Sequence, residues 1–266
     1  MPVKIMKILF FGDIVGAPGR EAIKKILPQW KKKYQPDLVI ANGENMAHGS
    51  GITKNALKEV LDNGVDIVTS GDHIWSQKEV FTILENKEIP LIKPANLPAG
   101  TPGKGYRIIE IRTKKILVVN LIGRVFMRYQ YDDPFRTIDQ ILDEHGEKVN
   151  AVIVDFHAEA TAEKVCLGWY LDGRVSAVLG THTHIPTADS RVLPKGTAYI
   201  TDVGMVGPQN SSLGANKDVA IKCILNQTPF DLKIADGPVE VNAVLIKIDS
   251  KGKSEKIEKL QKIVAL

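Results

Sequence analysis

The stretch KILFFGD, residues 7–13, is a short run of apolar residues that ends in a glycine and an aspartate. Such a run lacks the alternation of polar and apolar residues, so it predicts a β-strand buried on both faces. Similar runs recur along the chain: DLVIANGEN at 37–45, DIVTSGDH at 66–73, KILVVNLIGR at 115–124, AVIVDFHAE at 151–159 and VSAVLGTHTH at 175–184. Strands of this kind belong to sheets that are covered by helices, and the pattern therefore predicts an α/β fold.

Helical patterns separate the early strands. Residues 19–34 and 53–64 repeat apolar residues with the period of an amphipathic helix, although Pro28 is expected to kink or shorten the first of them. Residues 132–148 predict another helix, with a proline near its start. Beyond residue 190 the pattern changes to strands with little helix between them. The sequence thus predicts a mixed sheet system that is α/β at first and rich in strands later.

The composition is that of an ordinary globular protein. The 266 residues are 44% hydrophobic and 25% charged, which argues against disorder and predicts one domain over residues 1–266. The net charge of +4 is dispersed, and its clearest cluster, residues 31–33, is typical of a solvated helix end rather than a nucleic-acid patch.

The cysteines and the apolar runs bear on the cellular compartment. The two cysteines, Cys166 and Cys223, lack C-x-x-C spacing, which argues against a disulfide framework or a thiolate zinc site. The N-terminus has no convincing signal peptide, and no apolar run approaches the length of a membrane span. We therefore expect a cytoplasmic protein.

Polar side chains with metal-binding ability stand at the ends of five predicted strands. They are Asp13, Glu44 with Asn45, Asp72 with His73, His157, and His182 with His184. Taken singly, each is explained as well by a structural hydrogen bond or a turn. Because ligands of open α/β sheets bind beyond the carboxyl ends of the strands, the five ends together indicate one site. The mixture of oxygen and imidazole donors without thiolate suits Mn, Fe, Zn or Co.

This donor set is large enough for two metal ions that share a carboxylate, and phosphate-ester hydrolysis is the natural use of such a centre. Two cations neutralise charge on the phosphoryl oxygens and lower the pKa of a bound water, so that hydroxide is available for in-line attack near neutral pH. A nearby acid then protonates the leaving alkoxide.

The order of these motifs resembles the metallophosphoesterase (calcineurin-like) superfamily, whose usual pattern is D-x-H, GD, GNH, H and GHxH. The resemblance is closer to the YmdB-like branch of bacterial metallophosphoesterases, and it extends from about residue 7 to residue 250. The segments that carry it are GDIVGAPGR at 12–20, NGENMAHG at 42–49, KPANLPAGTPGKG at 93–105, DFHAEATAEK at 155–164 and GTHTH at 180–184, followed by GTAYITDVGMVGP at 196–208.

The resemblance implies a fold, a site and an activity. It implies a four-layer α/β/β/α sandwich in which Asp13, Glu44, Asn45 and His184 hold one metal, while Glu44, Asp72, His157 and His182 hold the other. Glu44 would bridge the two ions, and His73 would be the catalytic acid. The activity implied is a phosphodiesterase for small or cyclic nucleotides of the 2′,3′-cyclic AMP type, including substrates derived from RNA. The metals implied are two ions, with iron favoured over Mn, Zn or Mg, and a homo-oligomer is compatible with the resemblance.

Two positions depart from the superfamily pattern. Val15 stands where D-x-H has its histidine, a departure shared by the YmdB-like branch, and Asp72 stands where GNH has its asparagine. Asp13, Glu44 and Asp72 carry three negative charges against the four positive charges of two divalent ions, which leaves a net charge of only +1. We hypothesise that Asp72 binds its metal more tightly, makes the centre less electrophilic and raises the pKa of His73.

Several residues keep two interpretations. His48 either contacts substrate or caps the following helix, and Arg124 and Arg128 either pair or stack with a nucleotide or pack on the surface. Asp155 either orients His157 or is a structural carboxylate. Two functions remain as alternatives to a phosphodiesterase: a phosphomonoesterase such as a nucleotidase, and a metal-containing nucleotide- or RNA-binding regulator with weak turnover.

Overall fold

A computed structural model describes residues 5–229 and 233–266 of the chain and contains two β-sheets flanked by helices. The strands are β1 (Met6–Phe11), β2 (Asp13–Ile14), β3 (Leu38–Asn42), β4 (Ile67–Thr69), β5 (Tyr106–Ile111), β6 (Lys114–Ile122), β7 (Ala151–His157), β8 (Ala177–Thr181), β9 (Arg191–Val192), β10 (Ala198–Ile200), β11 (Met205–Pro208), β12 (Val239–Ile248) and β13 (Ser254–Val264). The α-helices are α1 (Gly16–Tyr34), α2 (Lys54–Asp62), α3 (Val80–Glu85), α4 (Pro134–His145), α5 (Thr161–Tyr170) and α6 (Lys217–Asn226). Short 3-10 helices cover Asp72–Trp75 and Gly146–Lys148.

The two sheets divide the chain between them. The first sheet has the order β2-β11-β12-β1-β3-β4, with β13 paired to β12, and the second has the order β5-β6-β7-β8-β10-β9. Strands β1, β3 and β4 run parallel to one another, as do β6, β7 and β8. The parallel strands of each sheet therefore place their carboxyl ends at one edge, where polar side chains follow.

Three hydrophobic clusters show how the layers pack. The central cluster joins the two sheets and includes Ile8 and Phe10 from β1 with Ile153 from β7. A second cluster packs the first sheet against α1 and α2, and the third packs the second sheet against α4 and α5. Each sheet thus has two buried faces, which is why its strands have continuous apolar runs. The predicted four-layer α/β/β/α sandwich is confirmed.

Three local features differ from the sequence-based expectation. Helix α1 continues through Pro28 to Tyr34, because the proline lies on the exposed face and the opposite face, with Ile23, Leu27 and Trp30, remains buried. Helix α6 interrupts the region that was expected to hold strands with little helix. Strand β13 pairs with β12 along almost its whole length at the end of the chain. Its many lysines and glutamates conceal the strand pattern. Within the described residues, no helix has the length and apolar character needed to cross a membrane.

Candidate metal centre

The residues at the five strand ends come together at one edge of the sandwich. Two groups of ligand atoms form there, each with its atoms within 4.8 Å of one another. One group consists of Glu44, Asp72, His157 and His182, and the other of Asp13, Glu44 and His184. Glu44 belongs to both groups. In each group the carboxylates come from the first sheet and the imidazoles from the second, so that the centre lies between the two sheets.

The first group is centred on Nε2 of His157, the ring nitrogen that faces the carboxylates and is called its inner nitrogen. His157 Nε2 lies 3.0 Å from Glu44 Oε2, 3.1 Å from Asp72 Oδ1 and 3.0 Å from His182 Nδ1. A side chain at Gly71 would overlap both the Glu44 carboxylate and the His157 ring, so this position needs glycine. Two carboxylates and two ring nitrogens therefore face one small volume.

The second group shares Glu44 and adds Asp13 and His184. Asn45 connects them, because its Nδ2 lies 2.9 Å from Glu44 Oε1 and 3.1 Å from His184 Nε2. Asp13 is fully buried, and its Oδ1 has no hydrogen-bond partner among the described residues, although His157 Nδ1 and His184 Nε2 lie 3.8 and 3.9 Å away. A buried carboxylate oxygen without a donor is costly unless a cation binds it.

In each of the three histidines of the ligand groups, the ring nitrogen that faces away from the carboxylates, the outer nitrogen, contacts an oxygen atom that can accept a hydrogen bond. His157 Nδ1 lies 3.0 Å from Thr181 Oγ1, which itself donates to Asp155 at 2.7 Å. His182 Nε2 lies 2.9 Å from Glu159 Oε2, and His184 Nδ1 lies 2.9 Å from the carbonyl oxygen of Leu213. These contacts favour the tautomers in which the inner nitrogens carry lone pairs directed at the carboxylate cluster. This is the usual arrangement of histidines that bind metal.

The charges of the cluster are strongly coupled. Burial raises the pKa of Asp13 despite the neighbouring histidines. Burial alone would also raise the pKa of Glu44 and Asp72, but the His157 imidazole holds both values below their usual range. In return, burial would lower the pKa of His157, but Glu44 and Asp72 raise it well above its usual value. The buried carboxylates of the cluster therefore favour positive charge beside them.

A buried ion pair between Lys164 and Asp202 stabilises the loop that carries His182 and His184. Lys164 Nζ lies 2.7 Å from Asp202 Oδ2 and donates to the Thr181 carbonyl at 2.7 Å. Asp202 also accepts from the Thr183 backbone N–H at 3.0 Å and from its hydroxyl at 2.8 Å. His182 and His184 both have positive φ, 99° and 66°, a conformation that costs free energy for a side chain other than glycine. The ion pair and its hydrogen bonds stabilise this unusual loop.

His73 lies beside the cluster. Its Nδ1 is 2.8 Å from Asn45 Oδ1 and 3.4 Å from Glu44 Oε1, while its Nε2 is 3.9 Å from Asp72 Oδ2. The hydrogen bond to Glu44 raises the pKa of His73 above its usual value, and Asp72 adds to this effect. The side chain is 42% exposed and lines a cavity of about 520 Å³, so a protonated His73 can reach a molecule bound there.

Two cavities adjoin the centre on different sides. The larger, about 520 Å³, is lined by Glu44, His73, His182 and His184 and has an apolar wall that includes Ile224. The smaller, about 340 Å³, begins at Gly71 and Asp72 and is lined on its far side by aromatic residues.

The remaining candidates from the sequence take different places. His48 is exposed on the loop after β3 with a φ of 53°, and its neighbour Gly49 lines the larger cavity. Asp155 reaches His157 only through Thr181, since its other oxygen accepts from Asn42 at 3.0 Å. Sequence reasoning missed Thr181, Glu159 and the Leu213 carbonyl. Thr181 and Glu159 could have been found from the sequence, because Thr181 immediately precedes His182 and Glu159 lies two residues after His157.

The sandwich and its edge site define the class of protein. The fold is that of the calcineurin-like metallophosphoesterases. The chain belongs to the YmdB-like protein family, whose model matches residues 9–260.

Three relatives illustrate the similarity. A 2′,3′-cyclic-nucleotide 2′-phosphodiesterase of Bacillus subtilis is 46% identical over 257 residues, which are 96% of each chain. A hypothetical protein from Thermus thermophilus has a solved structure with a TM-score of 0.92 and 42% identity, covering 97% of this chain and 100% of the other. The structure of a novel phosphatase from Mycoplasma pneumoniae gives a TM-score of 0.93 at 35% identity, covering 99% and 95%.

Proposed function

We propose that this chain is a binuclear-metal phosphodiesterase that opens the 2′,3′-cyclic phosphate of nucleotides at the 2′ oxygen. The broader statement, that it is a hydrolase of phosphoric diesters, follows from its family and its relatives. The observation that carries the proposal is the pair of ligand groups that share Glu44 at the edge of the sandwich. The choice of substrate rests on the printed name of the Bacillus subtilis relative.

The donor atoms fit two divalent cations. Glu44, Asp72, His157 and His182 would hold one, while Asp13, Glu44 and His184 would hold the other, with Asn45 added through its amide oxygen once the amide is turned so that this oxygen replaces the Nδ2 near His184. The unpartnered Asp13 oxygen and the inward ring nitrogens are the atoms that need them. When bound, such a pair supplies positive charge for the phosphoryl oxygens and lowers the pKa of water. We propose iron, which this donor set accommodates; Mn and Zn suit the same donors, and Mg is a further alternative.

The residues of the chain would orient the substrate and move one proton. An oxygen atom from water forms a bond to phosphorus, and the bond between phosphorus and the 2′ oxygen breaks. The 2′ oxygen keeps the electron pair and takes a proton from His73 Nε2, while the attacking water loses one proton to solvent; this leaves a free 2′ hydroxyl and a 3′-phosphate, and His73 regains its proton from solvent. The contact of His73 Nδ1 with the Asn45 amide, 2.8 Å, fixes the ring so that Nε2 is the nitrogen that gives up the proton.

The proposal is tested with purified protein by elemental analysis combined with a panel of substrates. The panel contains 2′,3′-cyclic AMP, a linear diester and a phosphomonoester. We expect two cations per chain and cleavage of the cyclic diester to 3′-AMP without further hydrolysis. Faster cleavage of the monoester would instead indicate a nucleotidase, and metal-bound protein that hydrolyses none of the three would indicate a binding regulator.

Asp72→Asn tests the effect of the additional carboxylate. We expect the metal affinity to fall by at least roughly 10- to 100-fold, the range found when a residue that supports a ligand from outside is lost, because Asp72 is itself a proposed ligand. At fixed metal content we expect kcat to rise, because one anion fewer opposes the stabilisation of the phosphoryl charge. Asp72 raises the pKa of His73, so its loss should lower that pKa. Activity that needs protonated His73 is lost as pH rises through this pKa, and the alkaline limb should therefore move to lower pH.

The measurements for Asp72→Asn are metal titration and a pH–rate profile at saturating metal. Asp66→Asn is a matched control, since Asp66 accepts a backbone hydrogen bond from Val39 at the other end of β4. An Asp72→Asn variant with unchanged metal affinity, rate and pH profile would show that this carboxylate has no special role.

A further inference from the structure

The smaller cavity beside the centre has aromatic walls. Trp75, Tyr129 and Tyr131 line it together with Leu97 and Pro98, while Gly71 and Asp72 form the side nearest the metal centre. Its volume of about 340 Å³ lies within the usual range of small-molecule sites, about 300–1,000 Å³. A pocket of this size next to a candidate catalytic residue is large enough for one ring system of a substrate.

Tyr129 offers the most accessible ring in this cavity. The residue is 53% exposed, and its ring stands at 76° to that of Tyr131 with the centroids 6.4 Å apart. The guanidinium of Arg128 lies 5.2 Å from the centroid of the Tyr129 ring. A cation over an aromatic ring is a favourable contact, so Arg128 helps to hold the ring in place. Arg128 is one of the two arginines for which the sequence allowed either contact with a nucleotide or packing on the surface.

Tyr131 adds a polar group to the same wall. Its side chain is 8% exposed, and among the residues that the structure describes its hydroxyl has no hydrogen-bond partner. A tyrosine hydroxyl is protonated near neutral pH and can therefore donate a hydrogen bond. This hydroxyl is available to an acceptor atom of a ligand that enters the cavity.

The chemistry of the proposed substrate places its base near this cavity. In a 2′,3′-cyclic nucleotide the base is attached to C1′, the carbon next to the one that carries the 2′ oxygen. A base must therefore lie close to the acid that protonates this oxygen. His73 lines the larger cavity, but its Nε2 lies 3.9 Å from Asp72 Oδ2, and Asp72 lines the aromatic cavity. Apart from the histidines of the site, the wall of the larger cavity is aliphatic, with Leu213, Ile224 and Ile234, and among the described residues it has no Phe, Tyr or Trp ring.

We propose that the cavity lined by Trp75, Tyr129 and Tyr131 binds the base of the nucleotide substrate, with Tyr129 as the stacking residue. This inference rests on the proposed function and extends it, because it assigns the part of the site that distinguishes nucleotides from other phosphodiesters. Stacking on an aromatic side chain is tolerant of base identity, so the pocket should accept more than one base.

The test compares two substrates that differ only in the base. One is 2′,3′-cyclic AMP, and the other is methyl ribofuranoside 2′,3′-cyclic phosphate, which has the same ring and no base. For Tyr129→Ala we expect the ratio of kcat/KM for the nucleotide to kcat/KM for the base-free substrate to fall about tenfold, since stacking contributes about that much per base. Tyr129→Phe keeps the aromatic face and should restore the ratio.

Two control variants locate the effect. Tyr170→Ala removes an exposed tyrosine from α5, outside both cavities, and should leave the ratio unchanged. Ile224→Ala changes the aliphatic wall of the larger cavity. If this variant lowers the ratio and Tyr129→Ala does not, the base binds the aliphatic wall and our inference is wrong. An equal loss on both substrates for Tyr129→Ala would contradict it as well.

A binding measurement separates this inference from the proposed function. Calorimetric titration with 3′-AMP and with ribose 3-phosphate requires no turnover. Weaker binding of 3′-AMP alone by Tyr129→Ala supports the base pocket even if the wild-type protein hydrolyses no cyclic nucleotide. Equal binding of 3′-AMP by the variant and the wild type overturns the base pocket even if the phosphodiesterase activity is established.

Discussion

Replacing His73 with alanine is expected to lower kcat for 2′,3′-cyclic AMP by roughly 10²- to 10⁴-fold, the usual contribution of a general acid. The metal content should stay near that of the wild type, because His73 belongs to neither ligand group. The leaving 2′ oxygen then has to depart without a proton from the protein. The measurement is steady-state kinetics together with elemental analysis of the same preparation.

A substrate with a better leaving group sharpens the test of His73. A nitrophenyl diester releases a stable phenolate that needs little protonation, so His73→Ala should lose much less activity on it. His145→Ala is a suitable control, since His145 contacts the Tyr106 hydroxyl on another part of the molecule. If His73→Ala lost the same factor on both diesters, positioning of the substrate rather than proton transfer would be the role of His73.

Replacing Glu44 with glutamine is expected to have the larger effect on the metal centre. Glu44 is 1% exposed and belongs to both ligand groups, so the change removes a negative charge from both candidate ion sites at once. Several kcal/mol of charge stabilisation depend on the ions, and about 1.36 kcal/mol corresponds to a factor of ten in rate. We expect kcat/KM to fall by about 10³-fold or more and the metal content to fall below two ions per chain.

Glutamine has nearly the same size as glutamate, so the fold should be retained. Glu159→Gln is the matched control: this carboxylate contacts His182 from the outside and is 48% exposed. It should reduce metal affinity by no more than about 10- to 100-fold. Full metal content in Glu44→Gln, with circular dichroism like that of the wild type, would contradict the assignment of Glu44 as the shared ligand.

Much of the site could be predicted because the relevant signals are local. An uninterrupted apolar run such as residues 8–11 predicts a strand buried on both sides, and the polar residue that follows it must lie at the edge of the sheet. Asp13, Glu44 and His157 all follow from this rule. Their convergence on one site was expected from where ligands bind in α/β sheets. The division of the ligands, with carboxylates on one sheet and imidazoles on the other, was not expected, because nothing local shows that the ends of two separate sheets meet.

Other features depend on packing between distant segments. Charged and apolar side chains alternate only weakly along β13. The strand therefore depends on its antiparallel pairing with β12. Pro28 is tolerated in α1 because burial of the opposite face outweighs the lost backbone hydrogen bond. The aromatic cavity joins residues near 75, 98 and 130, a combination that spacing along the chain does not indicate.

The position of the proposed metal centre between the two sheets would link ion supply to folding. An ion held by Glu44 and Asp72 on one side and His157 and His182 on the other binds only when both halves of the sandwich are in place. A ligand that binds the native state alone adds about 1.4 kcal/mol to the unfolding free energy for each tenfold rise in its free concentration above Kd. Metal-starved cells would therefore hold less folded protein as well as less active enzyme, and abundance would follow the availability of the metal.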